Sequence, residues 1–347
     1  MLSLPAIPAP DLQAARVVEQ RQADLTKPTG SLGLLENLSV KIAAVSAKTR
    51  PDVSRKAIIV MAGDHGVAQE GVSAYPPEVT YQMVLNFLNG GAAINALARQ
   101  AGARVTVVDV GVMGSFDPAP GLINRKVRPG TANMAKGPAM SREDAEAAVQ
   151  AGLDAVNAEV KKGLDLVATG DMGIGNTTPS AAITAIMCGQ PVSRVTGRGT
   201  GLDDQGLAAK IRVIEEAIRV NQPDPKDAWD VLAKVGGLEI GGLAGVIIGA
   251  ASNRIPVVID GFISGAAALI AAGLAPDVKP YLIASHQSVE LGHQAILAKL
   301  GLRPLMNLDL RLGEGSGAAL AFHLVEAACR IVNEMATFSE AGVSGKE

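Results

Sequence analysis

The sequence Leu164-Asp-Leu-Val-Ala-Thr-Gly-Asp-Met-Gly-Ile-Gly-Asn-Thr-Thr178 decides the fold class. Its first part, Leu164–Thr169, is short and mostly apolar, which is typical of a strand buried on both faces of a parallel sheet. The glycines that follow it, and the Asn-Thr-Thr after them, are typical of a tight turn into a helix. Strand, turn and helix in this order predict one unit of an α/β fold.

Five other segments repeat the pattern of a short apolar run that ends at a glycine or a polar residue. They are Ala57–Met61, Val105–Val110, Pro256–Ile259, Tyr281–Ala284 and Leu305–Leu310. Helical patterns separate them, at Val79–Gln100, Arg142–Lys161, Asp203–Val220, Leu243–Ala251, Ser264–Ala272, Val289–Leu300 and Ser316–Glu334. This alternation predicts a mostly parallel sheet that is flanked by helices and joined by right-handed crossovers.

The two ends of the chain differ from its middle. Asp11–Lys27 has a charged helical pattern, and Leu32–Ala47 and the segment from about residue 319 onward read as amphipathic helices. We therefore expect a small helical domain made of residues 1–51 and 319–347. It would pack beside an α/β domain formed by residues 52–318.

Composition and charge limit the partners of the chain. Hydrophobic residues make up 48% of 347 residues, enough for a sizeable core, and the net charge of 31 − 34 = −3 disfavours nucleic acid. Met1–Pro10 lacks a basic start, so it is no signal peptide, and Ile240–Ala251 is too short to span a bilayer. Cys188 and Cys329 lie in apolar segments and are expected to be buried free thiols. We expect a cytoplasmic protein with no membrane or nucleic-acid partner.

Each predicted strand is followed by a polar or glycine-rich loop. In open α/β sheets, ligands bind beyond the carboxyl ends of the strands. The loops with the strongest polar or glycine content are residues 63–66, 170–178, 197–204, 260–261, 285–288 and 311–317. Their convergence predicts a binding site at one edge of the sheet.

Residues 173–178 have the pattern of an anion cradle. Glycines before Asn-Thr-Thr expose backbone N–H groups and hydroxyls at the positive end of a helix, which suits a phosphate or a carboxylate. A tight turn with Thr177 or Thr178 as N-cap explains the same residues without a ligand. The spacing lacks the third glycine of the dinucleotide motif and the lysine of the Walker motif.

Residues 197–201 form a second candidate cradle. Lys210, in the helix that follows, could direct its charge at a phosphate, or could be an ordinary solvated lysine. Ser288 is ambiguous in the same way between a helix N-cap and a phosphate donor.

Glu314 stands between glycines at the end of a predicted strand, where little side-chain cover separates it from a substrate. In an apolar pocket its pKa would rise and it could serve as a general base. A first-turn glutamate that complements the helix dipole has the same pattern.

The histidines give little support to a metal site. Asp64 and His65 are a single pair, and His286 and His293 are seven residues apart with no carboxylate at the spacing of a zinc protease. A structural histidine is the simpler interpretation at each position, and we expect no metal.

Five motifs together resemble the nicotinate-nucleotide:dimethylbenzimidazole phosphoribosyltransferase family. They begin at Lys27 (Lys-Pro-Thr-Gly-Ser-Leu-Gly), Ala62 (Ala-Gly-Asp-His-Gly-Val), Gly170 (Gly-Asp-Met-Gly-Ile-Gly-Asn-Thr-Thr), Gly197 (Gly-Arg-Gly-Thr-Gly) and Arg311 (Arg-Leu-Gly-Glu-Gly-Ser-Gly). They occur in order from about residue 27 to 317, so the resemblance covers nearly the whole chain.

The resemblance implies a homodimer with a Rossmann-like domain and a small helical domain from both termini, and neither metal nor cofactor. It implies transfer of the ribose phosphate of nicotinate mononucleotide to dimethylbenzimidazole, a step in building the nucleotide loop of cobalamin. The products are α-ribazole phosphate and nicotinate, with inversion at the anomeric carbon. The sequence leaves open which benzimidazole-type base, purine or phenol is preferred.

The family's functional residues carry over by motif. The catalytic residues are Glu314, as the base, and Asp171, at a position that often holds the longer Glu. The nucleotide- and phosphate-binding residues are Gly173, Gly175, Asn176, Thr177, Gly199, Lys210 and Ser288. The base-binding residues are Tyr75, Pro77, Gln82 and Leu312. A nucleotide-sensing module without chemistry and a dinucleotide-dependent oxidoreductase are the alternatives.

Overall fold

A computed structural model describes residues 2–344 and has a six-stranded parallel sheet at its centre. The strands are β1 (Lys56–Gly63), β2 (Ala103–Gly111), β3 (Leu122–Asn124), β4 (Leu166–Met172), β5 (Val257–Ile259) and β6 (Leu282–Ala284). Their order is β3-β2-β1-β4-β5-β6, and every neighbouring pair is parallel. The order reverses between β1 and β4, which is where an open α/β sheet forms its ligand crevice.

Fourteen α-helices lie within residues 2–344. They are α1 (Leu12–Asp24), α2 (Leu34–Ser46), α3 (Glu78–Leu88), α4 (Ala93–Ala101), α5 (Arg142–Lys161), α6 (Thr177–Cys188), α7 (Val192–Val195), α8 (Asp204–Asn221), α9 (Ala228–Val235), α10 (Leu238–Ser252), α11 (Phe262–Leu274), α12 (Gly292–Leu300), α13 (Ser316–Glu334) and α14 (Phe338–Ala341). The predicted α/β fold is confirmed.

Strand β1 shows how the helices cover both faces of the sheet. Alternate side chains of a strand point to opposite faces. Ile59 and Met61 belong to the apolar cluster that includes α5, α10 and α11. Ile58 and Val60 belong to a second cluster with α2, α4 and α13. All four side chains are fully buried, so the continuous apolar run of β1 is explained by a three-layer arrangement.

Helices from the two ends of the chain contact one another. Val18 of α1, Ala43 of α2 and Val332 of α13 form a small separate apolar cluster. The Arg21 Nε–H group donates to the Val332 carbonyl oxygen at 2.7 Å. Helix α13 also packs on the sheet, and the boundaries of the small helical domain stay a prediction. Residue 1 and residues 345–347 of that predicted domain lie outside the described residues.

Two predicted segments are wrong. Leu305–Leu310 is not a strand: it makes one isolated bridge, between Met306 and His286, and Asp309 has φ 54°, which breaks an extended backbone. Val79–Gln100 is two helices, α3 and α4, because Gly90 adopts φ 75° between them. Strand β3 was not predicted because only two of its three residues are apolar.

No helix in residues 2–344 is long and apolar enough to cross a membrane. Both cysteines are free, and Cys329 is buried as expected, whereas Cys188 is only partly buried.

The crossing of α5 and α10 generates a stability prediction. A β-carbon at Gly152 of α5 would overlap the Gly242 carbonyl oxygen of α10, so Gly152→Ala must push the helices apart. We expect it to lower the free energy of unfolding by about 1–3 kcal/mol, measured by urea denaturation. Gly137→Ala is the control, because that glycine needs no positive φ and has no atom within 4 Å of the added carbon. Equal midpoints for the two variants would contradict the described helix contact.

Candidate active site

A cavity of about 720 Å³ opens at the carboxyl edge of the sheet. Its walls come from the segments that follow β4, β5 and β6, from the segment between α12 and α13, from the loop between α7 and α8, and from α3 with the loop before it. The continuous lining stretches are residues 171–177, 199–200, 261–263 and 309–314. The convergence of strand-end loops that the sequence predicts is thus present.

Ten of the thirteen predicted site residues line this cavity. They are Tyr75, Asp171, Gly173, Gly175, Asn176, Thr177, Gly199, Ser288, Leu312 and Glu314. Lys210 lies directly behind the wall. Pro77 and Gln82 are not among the lining residues: Pro77 is the N-cap of α3, and Gln82 is an exposed residue of that helix. The face of α3 that reaches the cavity carries Val79 and Met83 instead, four residues apart.

Glu314 is a buried carboxylate held by an unusual backbone. Gly313, Glu314 and Gly315 all have positive φ, at 84°, 61° and 92°. The carboxylate accepts the Ile94 N–H group, in the first turn of α4, at 3.2 Å. Burial raises the pKa of Glu314, and that hydrogen bond opposes the shift only in part. Such a carboxyl group is suited to general-base chemistry near neutral pH.

Asp260, at the end of β5, anchors the Glu314 loop. Its Oδ2 accepts the Gly315 N–H group at 3.2 Å, and its Oδ1 accepts the Ala318 N–H group at 3.0 Å. Burial raises the pKa of Asp260 to about 7, and the Glu314 charge adds to this shift. The backbone hydrogen bonds act in the opposite direction but do not cancel it. Asp260 was not among the predicted site residues. Its position directly after the predicted strand Pro256–Ile259 is the sequence feature that could have identified it.

Asp171 is the most strongly perturbed acid of the site. Burial, and then the charges of Asp260 and Glu239, raise its pKa well above the usual value for an aspartate. Its Oδ2 accepts the Asn176 side-chain N–H group at 3.1 Å, whereas its buried Oδ1 has no hydrogen-bond partner within residues 2–344. Asn176 therefore positions Asp171 and is not only a cradle residue.

In the predicted anion cradle, Thr177 and Lys210 contact each other. Thr177 begins α6, so it is not the N-cap, and its hydroxyl accepts a hydrogen bond from the Lys210 Nζ at 2.7 Å. Lys210 is fully buried, which makes the solvated-lysine interpretation wrong. Burial lowers its pKa to about 8. A β-carbon at Gly199 would lie 2.9 Å from the Thr177 hydroxyl, so this glycine lets the second cradle loop close on the pair.

Ser288 stands at the cavity wall with a histidine behind it. Its N–H group donates to His293 Nδ1 at 2.9 Å, so His293 orients the segment after β6. Burial lowers the pKa of His286 to about 4 and that of His293 to about 3, and both rings are therefore neutral at physiological pH. His293 acts as a structural histidine here.

A buried histidine–glutamate pair lies behind Gly173 of the cavity wall. His65 Nε2 and Glu239 Oε1 are 2.8 Å apart, and both side chains are buried. Burial lowers the pKa of His65, but the Glu239 charge and hydrogen bond outweigh it, so the pKa is raised. Among residues 2–344, no three His, Cys, Asp or Glu side chains are grouped as metal ligands would be.

Sequence reasoning missed several residues of the wall. Glu290, Arg311 and Thr200 all line the cavity. The Thr200 hydroxyl accepts the Ala74 N–H group at 2.9 Å, and an Arg311 N–H group donates to the Gly199 carbonyl oxygen at 3.1 Å. These contacts join three loops that are far apart in the sequence. Thr200 and Arg311 lie in two of the quoted motifs, but the motifs do not show which loops contact one another, and Glu290 lies in none of the five.

Comparison with known proteins agrees with this geometry. The sequence model of a phosphoribosyltransferase family matches residues 7–343. The chain belongs to this phosphoribosyltransferase family. A nicotinate-nucleotide–dimethylbenzimidazole phosphoribosyltransferase of a Roseiflexus species is 62% identical over 97% of this chain and 95% of the relative. The enzyme of the same name from Geobacter sulfurreducens is 58% identical over 95% of each chain.

A crystal structure from Thermus thermophilus, of a protein with that same enzyme name, has the same fold. It superposes with a TM-score of 0.92 at 48% identity and covers 97% of this chain and 100% of its own. The predicted family and the Rossmann-like α/β fold are therefore confirmed.

Asp260 gives this phosphoribosyltransferase a predictable pH dependence of stability. The pKa of Asp260 rises from 3.8 to about 7 on folding, so between these values the folded state holds one more proton. Raising the pH then destabilises the folded state by up to about 1.4 kcal/mol per unit. We expect wild-type protein to lose stability relative to Asp260→Asn as pH rises from about 4 to about 7, measured by urea unfolding. A constant difference between the two proteins would contradict this assignment.

Proposed function

We propose that this chain transfers the ribose phosphate of nicotinate mononucleotide to dimethylbenzimidazole. The products would be α-ribazole phosphate and nicotinate, and the step would belong to the assembly of the cobalamin nucleotide loop. The names of the full-length relatives support the reaction. The chain's own residues supply the chemistry without a metal or a redox cofactor.

One observation carries the proposal: the cavity has a cradle suited to phosphate and a buried general base. Thr177, Gly199 and Ser288 surround the place for a phosphate, with Lys210 behind them. Glu314 lies in another part of the same wall, next to Leu312. A nucleotide held by its phosphate can then present its anomeric carbon to a base whose N–H group faces Glu314.

Glu314 acts as the general base. Dimethylbenzimidazole carries one N–H nitrogen and one nitrogen with a lone pair. When Glu314 takes the N–H proton, electron density moves to the other nitrogen, which attacks the anomeric carbon. Nicotinate leaves from the opposite face with the bonding pair, so the β-riboside becomes an α-riboside. General-base help of this kind contributes about 10²–10⁴-fold, and holding the two reactants in line contributes up to roughly 7–11 kcal/mol.

The carboxyl groups around Asp171 stabilise the charge that develops. The pyridinium nitrogen of the nucleotide is positive, and positive charge spreads to the ribose ring as the bond breaks. A nearby cation lowers the pKa of a carboxyl group. Substrate binding therefore favours ionisation of Asp171, whose pKa in the empty site is raised by burial and by its acidic neighbours. Its negative charge is then available at the transition state.

The test of the function is nicotinate release from nicotinate mononucleotide, with and without dimethylbenzimidazole, followed by chromatography with mass detection. Release that depends on the base, with an α-riboside phosphate as product, is the expected result. Adenine and phenol as alternative bases define the preference. Nucleotide binding without release for any base would favour a sensing module instead.

Glu314→Gln tests the assigned base. The amide cannot accept the proton, so turnover should fall by about 10²–10⁴-fold while nucleotide affinity stays near that of the wild type. Wild-type turnover should also fall as the pH drops through the raised pKa of Glu314, because only the ionised form is a base. Glu216→Gln, on an exposed part of α8, is the matched control. Near-normal turnover in Glu314→Gln would remove this role.

We also propose that the chain forms a homodimer. Support comes from apolar side chains that stay exposed beside the cavity, with Val289, Leu291, Leu308 and Leu312 between 45% and 57% exposed. Sedimentation equilibrium should give twice the chain mass, and Leu291→Asp should shift the protein toward the monomer. A wild-type protein that sediments as a monomer at micromolar concentration would contradict the proposal.

A further inference from the structure

Glu290 is a buried acid within the anion cradle that the mechanism does not use. It follows β6, two residues before α12, and lines the cavity with only 7% of its surface exposed. Its buried Oε2 has no hydrogen-bond partner in the described part of the chain. A β-carbon at Gly197 would overlap this oxygen, so the bare backbone of the second cradle loop makes room for the carboxylate.

The groups that face Glu290 are mostly cationic or hydrogen-bond donors. Lys210 of α8 and Arg311 of the segment between α12 and α13 both interact with its charge, and the Gly199 N–H group donates to it. The interaction also favours the charged form of Lys210, because burial lowers the pKa of this lysine and the Glu290 charge raises it. The nearby rings of His286 and His293 are neutral at physiological pH. In the empty site, the Glu290 carboxylate is therefore the negative group that faces these cations and donors.

A bound phosphate creates an electrostatic conflict at this position. The group carries about −1.5 to −2 charges at pH 7, and Glu290 adds a further negative charge in the same buried wall. Two close anions in a site of low dielectric cannot both stay fully ionised. Burial already raises the pKa of Glu290, with Lys210 and Arg311 opposing the shift, so protonation of this carboxylate is the easiest way to relieve the conflict.

We propose that Glu290 is an exchangeable counter-ion, which balances Lys210 in the empty cradle and takes up one proton from solvent when a phosphate group binds. The inference rests on the proposed function, because it assigns the phosphate of the nucleotide to this cradle. The proton is transferred to the Glu290 carboxylate and no covalent bond to the substrate forms. Lys210 exchanges its carboxylate partner for the phosphate.

Proton uptake determines whether nucleotide affinity rises or falls with pH. Glu290 is ionised in the free protein above its own pKa and protonated in the complex below a still higher pKa. Between these two values each unit of pH increase weakens nucleotide binding, by at most tenfold for one proton. Below that window the affinity is independent of Glu290.

Isothermal titration of wild-type protein with nicotinate mononucleotide at about pH 7, in Tris and in HEPES, measures the uptake. Buffers with different ionisation enthalpies give different heats when protons are exchanged. The positive pyridinium ring favours ionisation of Asp171 and so releases protons on binding. The quantity that reports Glu290 is therefore the proton uptake with the nucleotide minus the proton uptake with nicotinate riboside, and we expect this difference to be positive. At this pH, Lys210, with a pKa of about 8, is already mostly protonated. The phosphate, with a second pKa of about 6, is already mostly a dianion. Neither group therefore exchanges much of a proton on binding.

Nicotinate riboside is the ligand control, because it lacks only the phosphate. The riboside has the same pyridinium charge but no phosphate, so its binding should take up fewer protons than binding of the nucleotide. Equal proton exchange for riboside and nucleotide would overturn the proposal. This comparison needs no variant, so it decides even where a substitution prevents folding.

Glu290→Gln assigns the proton to the residue. The variant should exchange the same number of protons with the nucleotide as with the riboside, and its nucleotide affinity should depend less on pH than that of the wild type. Glu334→Gln, on an exposed side chain of α13, should behave as the wild type. A difference in proton uptake between nucleotide and riboside that persists in Glu290→Gln, or no such difference in wild-type protein that binds both ligands, would overturn the proposal. Failure of the wild type to bind the nucleotide would overturn the proposed function instead, and the same titration with inorganic phosphate would then decide the role of Glu290.

Discussion

The substrate edge of this protein depends on the buried carboxylate of Asp260. It accepts the N–H groups of Gly315 and Ala318 at the start of α13, groups that have no partner within the helix. This contact joins the end of β5 to α13 and so fixes the loop that holds Glu314. On the other side, a β-carbon at Gly170 would overlap the Glu314 carbonyl oxygen, so the loop runs directly against β4. The position of the Glu314 carboxylate, the proposed general base, follows from these two constraints on its backbone.

The electrostatics of the site follow from burying several acids together. Asp171, Asp260, Glu239 and Glu314 act on one another, and the pKa values of Asp171, Asp260 and Glu314 are all raised. Burial of like charges costs stability in the empty protein. Within residues 2–344, two histidines pair with this cluster. His65 Nε2 lies 2.8 Å from Glu239 Oε1, and His286 Nδ1, whose ring is neutral at physiological pH, lies 3.9 Å from Asp260 Oδ1. In the proposed reaction, a substrate whose positive charge spreads would relieve this repulsion, so the groups that destabilise the empty site would favour the transition state.

The sequence predicted the fold where local patterns and tertiary packing agree. Helix α5 begins and ends as predicted because Ser141 caps it and an apolar stripe runs along its length. Strand β3 and the false strand Leu305–Leu310 show the limit, because both lie beside the sheet edges, where pairing depends on tertiary contacts and not on an apolar run. The burial of Lys210 and of Glu290 could not be predicted from the sequence either, because the partners of each charge come from distant segments.

The glycine-rich motifs are recognisable in the sequence because they contact one another. A β-carbon at Gly173 would overlap the Gly63 carbonyl oxygen, and one at Gly317 would overlap the His286 ring. The glycine of one loop is thus required by the backbone or the side chain of another, and no loop of the site can be replaced alone. The four motifs that begin at Ala62, Gly170, Gly197 and Arg311 therefore carry more information together than as separate matches, because their joint occurrence encodes a single packed unit. Core positions tolerate exchange among apolar residues of similar volume, so they leave a weaker signature than these contacts do.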